Sequence, residues 1–306
     1  FRYYQYIGKK YSTTGYIHTT YSLNETLNLF AEFQYVNHDW KMEQEKIGHA
    51  QGHIINANWN FINPRIGFNY KFMNNYSIFG KIGTSQKEPK DDQIIKKDEF
   101  TLEDWEFNLE GAYPEIIIDY EIGLYSSFKQ LSALINIYQI NLENEVIENI
   151  DFEEEGQYTY DQVDKTVHRG IEFDVNYVIN RTFTLNWNAA ISHNYFDGGS
   201  FTNKFLPKQP SQLSNLTVEY CSECDFSIHS TVKYVGKQYV DNANTDATAV
   251  DSYYLLNLGM NYILDSFTIS GKINNLLDVL YITHGESGSY WPGATRNAYI
   301  ELRYQF

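Results

Sequence analysis

The sequence predicts an all-β fold, an antiparallel transmembrane β-barrel of the outer-membrane type, to which this chain contributes about 13–14 strands. Three observations predict it. Apolar and polar residues alternate with a period of two along most of the chain. The connections between the alternating runs are short and long in strict turn. The prolines fall in the longer connections or at the first residue after one, where they do not interrupt the hydrogen-bonded ladder of a sheet.

Alternation is clearest in two consecutive runs near residues 166–178 and 182–195. In the second run Phe183 and Leu185 lie on one face, and Thr184 lies on the other. The thirteen runs that we interpret as strands lie near 14–21, 26–37, 64–72, 76–86, 114–127, 131–147, 166–178, 182–195, 211–221, 226–240, 250–263, 267–277 and 294–306.

The connections predict which end of the barrel faces outward. Six of them are short turns, and these alternate with six longer loops. In outer-membrane barrels the short turns are periplasmic and the long loops are extracellular. The short turns lie at Ser22–Glu25, Met73–Asn75, Phe128–Gln130, Ile179–Arg181, Ser222–Asp225 and Leu264–Ser266. The prolines occupy the long loops or the first residue after one, at Pro64, Pro89, Pro114, Pro207, Pro210 and Pro292.

A soluble β-sandwich or propeller would also alternate, but its apolar face should be an aliphatic core. Here aromatic residues make up 17% of the chain and crowd the strand ends, which is typical of the girdles at lipid headgroup level. No apolar run approaches the roughly 18 residues of a spanning helix. A net charge of −16 argues against a nucleic-acid partner, because phosphate binding needs a basic surface.

An antiparallel barrel closes only with an even number of strands, and thirteen is odd. Either residues 1–11 supply one more strand, or further strands lie upstream of residue 1. The first residues also lack a basic segment followed by an apolar one, so we expect the exported protein to begin elsewhere.

The C-terminal region carries a cluster of motifs. The stretch Ile273–Asp278 (INNLLD) is followed by Tyr281, by Tyr290–Arg296 (YWPGATR) and by a terminal Phe306. This ending resembles that of the TonB-dependent outer-membrane receptors. Four weaker stretches point the same way, and their order and spacing cover most of residues 26–306: NPRIG from Asn63, EP from Glu88, PE from Pro114 and YVGKQY from Tyr234.

The resemblance implies a 22-stranded barrel closed by an N-terminal plug, which an inner-membrane TonB energy-coupling complex displaces to admit a ligand. No plug is found, so we expect residues 1–306 to be the C-terminal portion of the barrel. It also implies outer-membrane lipid, lipopolysaccharide and the barrel-assembly machinery as partners. A small-molecule ligand and a surface lipoprotein complete the set. The assembly signal would be Leu302, Tyr304 and Phe306, at the end of the last amphipathic strand.

Candidate ligand-binding residues fall into three groups. Asp119, Glu121 and His168 belong to the polar face, whose charges must meet water or a polar filler. The second group is the aromatic residues of the long loops. The third is His49 and His53, which lie four residues apart in the segment from His38 to Asn63 and could share a metal or haem iron. The loop aromatics are Trp105, Tyr158, Tyr160, Tyr290 and Trp291.

Other chemistry finds less support. The acidic residues 153–155 with Asp161 and Asp164 match no defined calcium loop, and we interpret this segment as a solvated surface loop. Cys221 and Cys224 lack the second pair of a structural zinc site. No nucleophile, acid and base group together. We therefore expect no enzyme, no cofactor and no resident metal.

The predicted function is active import of a scarce nutrient of the ferric siderophore, haem or vitamin class. The alternatives are a passive porin or adhesin barrel of 14 strands, a glycan or peptide importer working with a surface lipoprotein, and a soluble glycan-binding protein.

Overall fold

The computed structural model describes residues 6–44, 54–96, 106–107, 112–150, 158–222, 225–286 and 288–306. Thirteen strands of one antiparallel sheet dominate these residues, which confirms the predicted all-β class and the predicted strands in their order. Within the described ranges no helix is long and apolar enough to cross a membrane. The strands of the main sheet are β1 (Tyr6–Ser22), β2 (Leu27–Gln44), β3 (Ile54–Lys71), β4 (Tyr76–Lys87), β7 (Glu115–Phe128), β8 (Leu131–Ile150), β9 (Tyr158–Val178), β10 (Phe183–Phe196), β11 (Gln212–Ser222), β12 (Phe226–Val235), β13 (Tyr253–Leu264), β14 (Phe267–Asn274) and β17 (Asn297–Tyr304).

Two small hairpins and a short helix lie in the longer connections. A helix α1 (Asp91–Ile94) precedes the pair β5 (Ile95–Lys96) and β6 (Glu106–Phe107), and a second pair is formed by β15 (Ile282–Glu286) and β16 (Ser289–Pro292). Neighbours in the main sheet follow the chain order, and β14 pairs with β17 once the second hairpin is passed over. Contacts divide the chain into two compact units. The first is 1–68, 81–120 and 140–166, and the second is 69–80, 121–139 and 167–306.

Five of the six predicted short turns lie wholly within the described residues and are present, and side-chain hydrogen bonds explain two of them. The Asn24 side-chain oxygen accepts hydrogen bonds from the backbone N–H of Thr26 and Leu27, at 2.9 and 2.8 Å. Asn180 does the same for Thr182 and Phe183. Such side-chain bonds replace the backbone partners that a tight turn removes.

The two faces of the sheet differ in an unusual sense, because the apolar side chains are the exposed ones. Ile66, Ile191 and Ile300 are 58%, 54% and 79% exposed, whereas Asn63 and Asn136 on the polar face are 8% and 7% exposed. The register supports the assignment, since Ile300 lies opposite Gly271 and Leu302 lies opposite Ile269 on one face. A sandwich buries its apolar face, so the soluble alternative conflicts with this arrangement.

Several predicted boundaries were wrong. Residues 6–11 extend β1 instead of forming a strand of their own, with Lys10 opposite Trp40. Most of the predicted loop from His38 to Asn63 is strand, because β2 continues to Gln44 and β3 begins at Ile54. Residues 45–53 lie outside the described residues. Asp161 and Asp164 of the predicted acidic loop lie on β9, which starts at Tyr158, while residues 153–155 lie outside the described residues. The predicted strand 226–240 ends at Val235, and the next begins at Tyr253 instead of 250.

Candidate ligand-binding site

A hydrogen-bonded network lies on the polar face of β1, β2 and β3 in the first unit. The Glu32 carboxylate lies 2.8 Å from His18 Nδ1 and accepts a hydrogen bond of 2.8 Å from Arg65 Nη1. Asn63 donates to the Gln34 side chain at 3.2 Å. These bonds show that Glu32, Gln34 and Arg65 share one face of the sheet.

A cleft of about 500 Å³ opens further along the same strands, toward the end away from the Ser22 turn. Its position follows from alternation, because Lys10 shares the polar face of β1 with His18. Trp40 and Trp59 form its aromatic wall, with ring centroids 6.4 Å apart. Its lining residues are Lys10, Trp40, Trp59, Lys87, Glu88, Pro89 and Lys90.

The wall of this cleft is fixed from behind. Trp40 is only 8% exposed and packs with Ile94 and Ala112, while Trp59 packs against the same small core. A packed ring of this kind is a rigid flat surface. Binding a ligand there would cost little side-chain entropy, because the ring is already ordered.

The charge of the cleft is opposite to that of the chain. Three lysines and one glutamate line it, a formal balance of +2 within a chain of −16. Lys10 pairs with Glu88, and His38 Nε2 lies 3.4 Å from the same carboxylate. Lys87 Nζ is 3.5 Å from Glu115, and its side chain is 55% exposed. The cleft therefore combines flat rings with donors suited to an anionic ligand.

The predicted polar-face residues occupy β7 and β9. In the first unit Lys81 Nζ lies 3.2 Å from Asp119 Oδ2, and Asp119 Oδ1 is a buried acceptor with no hydrogen-bond partner among the described residues. Glu121 is half-buried on the same strand, in the second unit. His168 is half-buried on β9, two positions before Gly170 on the same face. No described group of three or more His, Cys, Asp or Glu side chains could hold a metal ion.

Loops of the second unit are tied to one another. Lys208 Nζ meets Glu286 at 2.6 Å, and Gln238 donates to the Thr283 carbonyl at 2.8 Å. The Asn244 side chain bonds both backbone groups of Phe205, at 2.6 and 2.8 Å. We call the connections 197–211, 236–252 and 275–296 the loop cluster.

Tyr290 and Trp291 belong to the β15–β16 hairpin of the loop cluster. The Tyr290 hydroxyl donates to the Thr248 carbonyl at 2.9 Å. The Trp291 ring stacks on His284, with centroids 4.5 Å apart and planes 9° from parallel. Both predicted aromatics are partly exposed and held in place. Tyr158 and Tyr160 begin β9 and do not lie in a loop, while His49, His53 and Trp105 lie outside the described residues.

The C-terminal motif forms a hydrogen-bonded clasp around the buried Asn275 side chain, which is 2% exposed. The Asn275 amide donates to the carbonyls of Val279 and Ala294, and its backbone N–H reaches Asn257. Asp278 accepts the backbone N–H of Arg296 at 2.8 Å. A Cβ at position 293 would lie 2.0 Å from the Tyr281 ring, so this position requires glycine.

The proposed assembly residues lie at the end of the last strand. Tyr304 faces Phe267 on the apolar face, with ring centroids 4.8 Å apart, and Leu302 lies opposite Ile269. Phe306 meets Tyr304 edge-on at 5.0 Å and is otherwise fully exposed.

Sequence reasoning missed the cleft. Lys10, Trp40 and Trp59 fell outside the predicted strands, so their common register was not considered. The sequence did carry a signal, which is the alternation itself. If the predicted strands are extended to include Lys10, Trp40 and Trp59, alternation places these three residues on the polar face.

Comparisons with known proteins agree with this architecture. A family model described as TonB dependent receptor-like, beta-barrel, matches residues 2–276. The vitamin B12 transporter of Vibrio cholerae is 25% identical over 247 residues, which are 79% of this chain and 36% of that protein. The chain thus spans about a third of the length of this relative.

Solved structures show the same fold. The ferric yersiniabactin uptake receptor of Yersinia pestis superposes with a TM-score of 0.79 at 14% identity, over 98% of this chain and 46% of that one. A siderophore receptor of Acinetobacter baumannii gives 0.76 at 19% identity, over 97% and 43%.

Proposed function

The chain belongs to the TonB-dependent receptor-like β-barrel family, and on that premise we propose that it forms part of an outer-membrane receptor that actively imports a scarce nutrient. The relatives are named as transporters and receptors. The observation that carries the proposal is the reversed burial of the sheet, with apolar residues exposed and polar residues shielded.

In this proposal the apolar face touches acyl chains of a Gram-negative outer membrane, and the polar face lines a passage. Arg65 would cost about 2–4 kcal/mol against lipid at the bilayer centre, and Asp119 less, which supports their placement toward water or a polar plug. A plug and a TonB complex would supply energy coupling, as in the family. The barrel-assembly machinery would recognise Leu302, Tyr304 and Phe306.

The cleft between Trp40 and the lysines is the proposed site of ligand capture. Its positive balance and paired rings favour an anionic ligand with flat, unsaturated rings, within the siderophore, haem and vitamin class. Tyr290 and Trp291 offer a second aromatic surface in the loop cluster.

Uptake in a deletion strain tests this function. The strain would be grown under iron or cobalamin limitation with a panel of single sources, and complemented with the intact gene. We expect one source to support growth, with uptake that stops when the proton-motive force is collapsed. Uptake that persists after collapse would indicate a passive porin and contradict active import.

Neighbouring lysines provide a matched test of the cleft. Lys10→Gln should weaken binding of the identified nutrient by about tenfold, the scale of one charge-assisted hydrogen bond. Lys9→Gln removes the same charge from the opposite face and should leave binding unchanged. Equal losses in both variants would exclude the cleft as the capture site.

A further inference from the structure

A cluster of aromatic and cationic side chains lies on the apolar face, where neither ligand capture nor the passage uses it. Arg169 Nη2 donates to His193 Nδ1 at 3.3 Å across β9 and β10. The Arg169 guanidinium lies 5.2 Å from the centre of the Tyr195 ring. Arg169 is exposed, and among the described residues it has no carboxylate within ion-pair distance.

The face of this cluster follows from alternation. Arg169 is two residues from Ile171 on β9, and His193 is two residues from Ile191 on β10. Both isoleucines are exposed members of the apolar face, at 37% and 54%. The cluster therefore points toward lipid and away from the passage.

The height of the cluster follows from strand length. His193 lies ten residues beyond Phe183, which is at the short-turn end of the same face. At about 3.4 Å per residue and a tilt of about 45°, this separation is about 24 Å along the membrane normal. The apolar band of such barrels is about 25 Å tall, so Arg169 and His193 lie at its upper boundary.

An aromatic shelf surrounds the cation at this level. The His193 ring lies 4.7 Å from Tyr195 and 4.9 Å from Phe205, and Phe205 stacks on Tyr239 at 5.9 Å. The neighbouring cation Lys237 is already paired with Asp246. Arg169 is thus left to meet an anion from outside the protein.

We propose that Arg169 and His193, with the Tyr195 and Phe205 shelf, bind the phosphate of a phosphorylated glycolipid in the outer leaflet. A guanidinium presents two parallel donors to a phosphate, and the rings pack against the sugar and the upper acyl chains. An arginine against lipid costs much less near the interface than at the bilayer centre, so a lipid-facing cation is tolerated at this depth. The inference rests on the proposed membrane location and does not depend on transport.

Native mass spectrometry of the intact, delipidated protein tests the site. The probes are an acylated glucosamine disaccharide that carries phosphates and the same lipid after enzymatic dephosphorylation. We expect the wild-type protein to retain the phosphorylated lipid about tenfold more strongly. Equal retention of the two lipids would overturn the proposal, and this comparison needs no variant to fold.

Variants then locate the site. Arg169→Ala should reduce retention of the phosphorylated lipid to the dephosphorylated level, and Arg169→Lys should keep part of it. Arg181→Ala, at the other end of the same hairpin, is the matched control and should behave as wild type. Unchanged binding by Arg169→Ala, or displacement of the lipid by millimolar inorganic phosphate, would overturn a lipid site.

The outcome separates this inference from the proposed function. Arg169→Ala should import its nutrient at the wild-type rate, because its side chain faces away from the passage. A receptor that transports normally yet shows no preference for the phosphorylated lipid would refute the lipid site alone.

Discussion

Two adjacent alanines of β10 allow the assignment of the two faces to be tested with one kind of substitution. Ala189 shares its face with Trp187 and Ile191, and Ala190 belongs to the opposite face. Ala189→Lys and Ala190→Lys therefore place the same charge at the same height, on the lipid side and on the passage side.

The expected magnitude follows from the position of Ala189 between two aromatic residues. It lies six residues after Phe183 and six before Tyr195, so each is about 20 Å away along the strand and about 14 Å along the membrane normal. That is the middle of the apolar band. A lysine there should lower the free energy of unfolding by about 2–4 kcal/mol. A lysine at Ala190 meets water or a polar filler, and its effect should stay within about 0.5 kcal/mol.

Equilibrium unfolding by denaturant of the intact protein in lipid vesicles measures both values, with heat-modifiable migration as the check on folding. Tyr254→Lys, at an aromatic position near the loop end of β13, controls for depth and should cost about 0–1 kcal/mol. Equal losses at Ala189 and Ala190, or a greater loss at Ala190, would refute the assignment of the faces.

Three further predictions concern packing, the loop cluster and pH. Gly170→Ala should lower the free energy of unfolding by about 1–3 kcal/mol, because its Cβ would lie 2.5 Å from the Ile191 carbonyl and 2.8 Å from the Tyr138 hydroxyl. Heat-modifiable migration would show this loss as a smaller folded fraction. Gly15→Ala meets nothing within 4 Å and should be neutral, so equal effects would contradict this reasoning. Lys208→Ala removes the ion-pair partner of Glu286, whose side chain is only 13% exposed. The free energy of local opening around residues 283–286 should fall by about 1–3 kcal/mol, which hydrogen exchange would show as faster exchange. Unchanged exchange there would exclude a role for this ion pair in ordering the loop cluster. The hydrogen bond from Lys237 lowers the pKa of Asp246 below 3.8, and the bond to Asp246 raises the pKa of Lys237 above 10.5. The contribution of this pair to loop order is thus full between those ordinary values, and is lost as pH falls through the lowered pKa or rises through the raised one. Hydrogen exchange corrected for intrinsic rate should show the acid loss in the wild type and not in Asp246→Asn.

The strands could be predicted because the lipid band imposes a separate chemistry on each face. Within about 25 Å of apolar thickness, every second residue must be apolar, and this requirement leaves a period of two in the sequence. The last strand shows this pattern, since Ile300 and Leu302 lie on the apolar face and Glu301, between them in sequence, lies on the polar face. The turns also follow local chemistry, because the side chains of Asn24 and Asn180 accept backbone N–H groups that a tight turn leaves without a partner.

The strand ends could not be predicted, because the pattern stops where water reaches both faces. Beyond the lipid band the backbone hydrogen bonds of a strand continue although its faces no longer differ in polarity, as where Lys9 lies opposite Lys41 and Tyr11 opposite Asp39. Such pairs carry no alternation, so the upper parts of β1, β2 and β3 resemble loops in the sequence. The cleft was missed with them, because Trp40 and Trp59 lie in those upper parts.

The residues that identify the family are therefore different in kind from those that would identify its ligand. Asn275, Asp278 and Gly293 form a clasp in which the buried Asn275 and the more exposed Asp278 each hydrogen-bond named backbone groups. Such a clasp serves the fold of the last strands whatever the receptor carries, so it can make the family recognisable without specifying a nutrient. Ligand choice would instead depend on side chains such as Trp40 and Lys87, which no turn or ladder requires at their positions. Lys87 is 55% exposed, so its substitution can change specificity at little cost in stability. Asn275→Ala should instead remove the hydrogen-bond partner of the Val279 and Ala294 carbonyls and of the Val279 backbone N–H. We expect that single change to lower the folded yield in heat-modifiable migration before any uptake can be measured, and a fully folded Asn275→Ala protein with altered ligand preference would contradict this division.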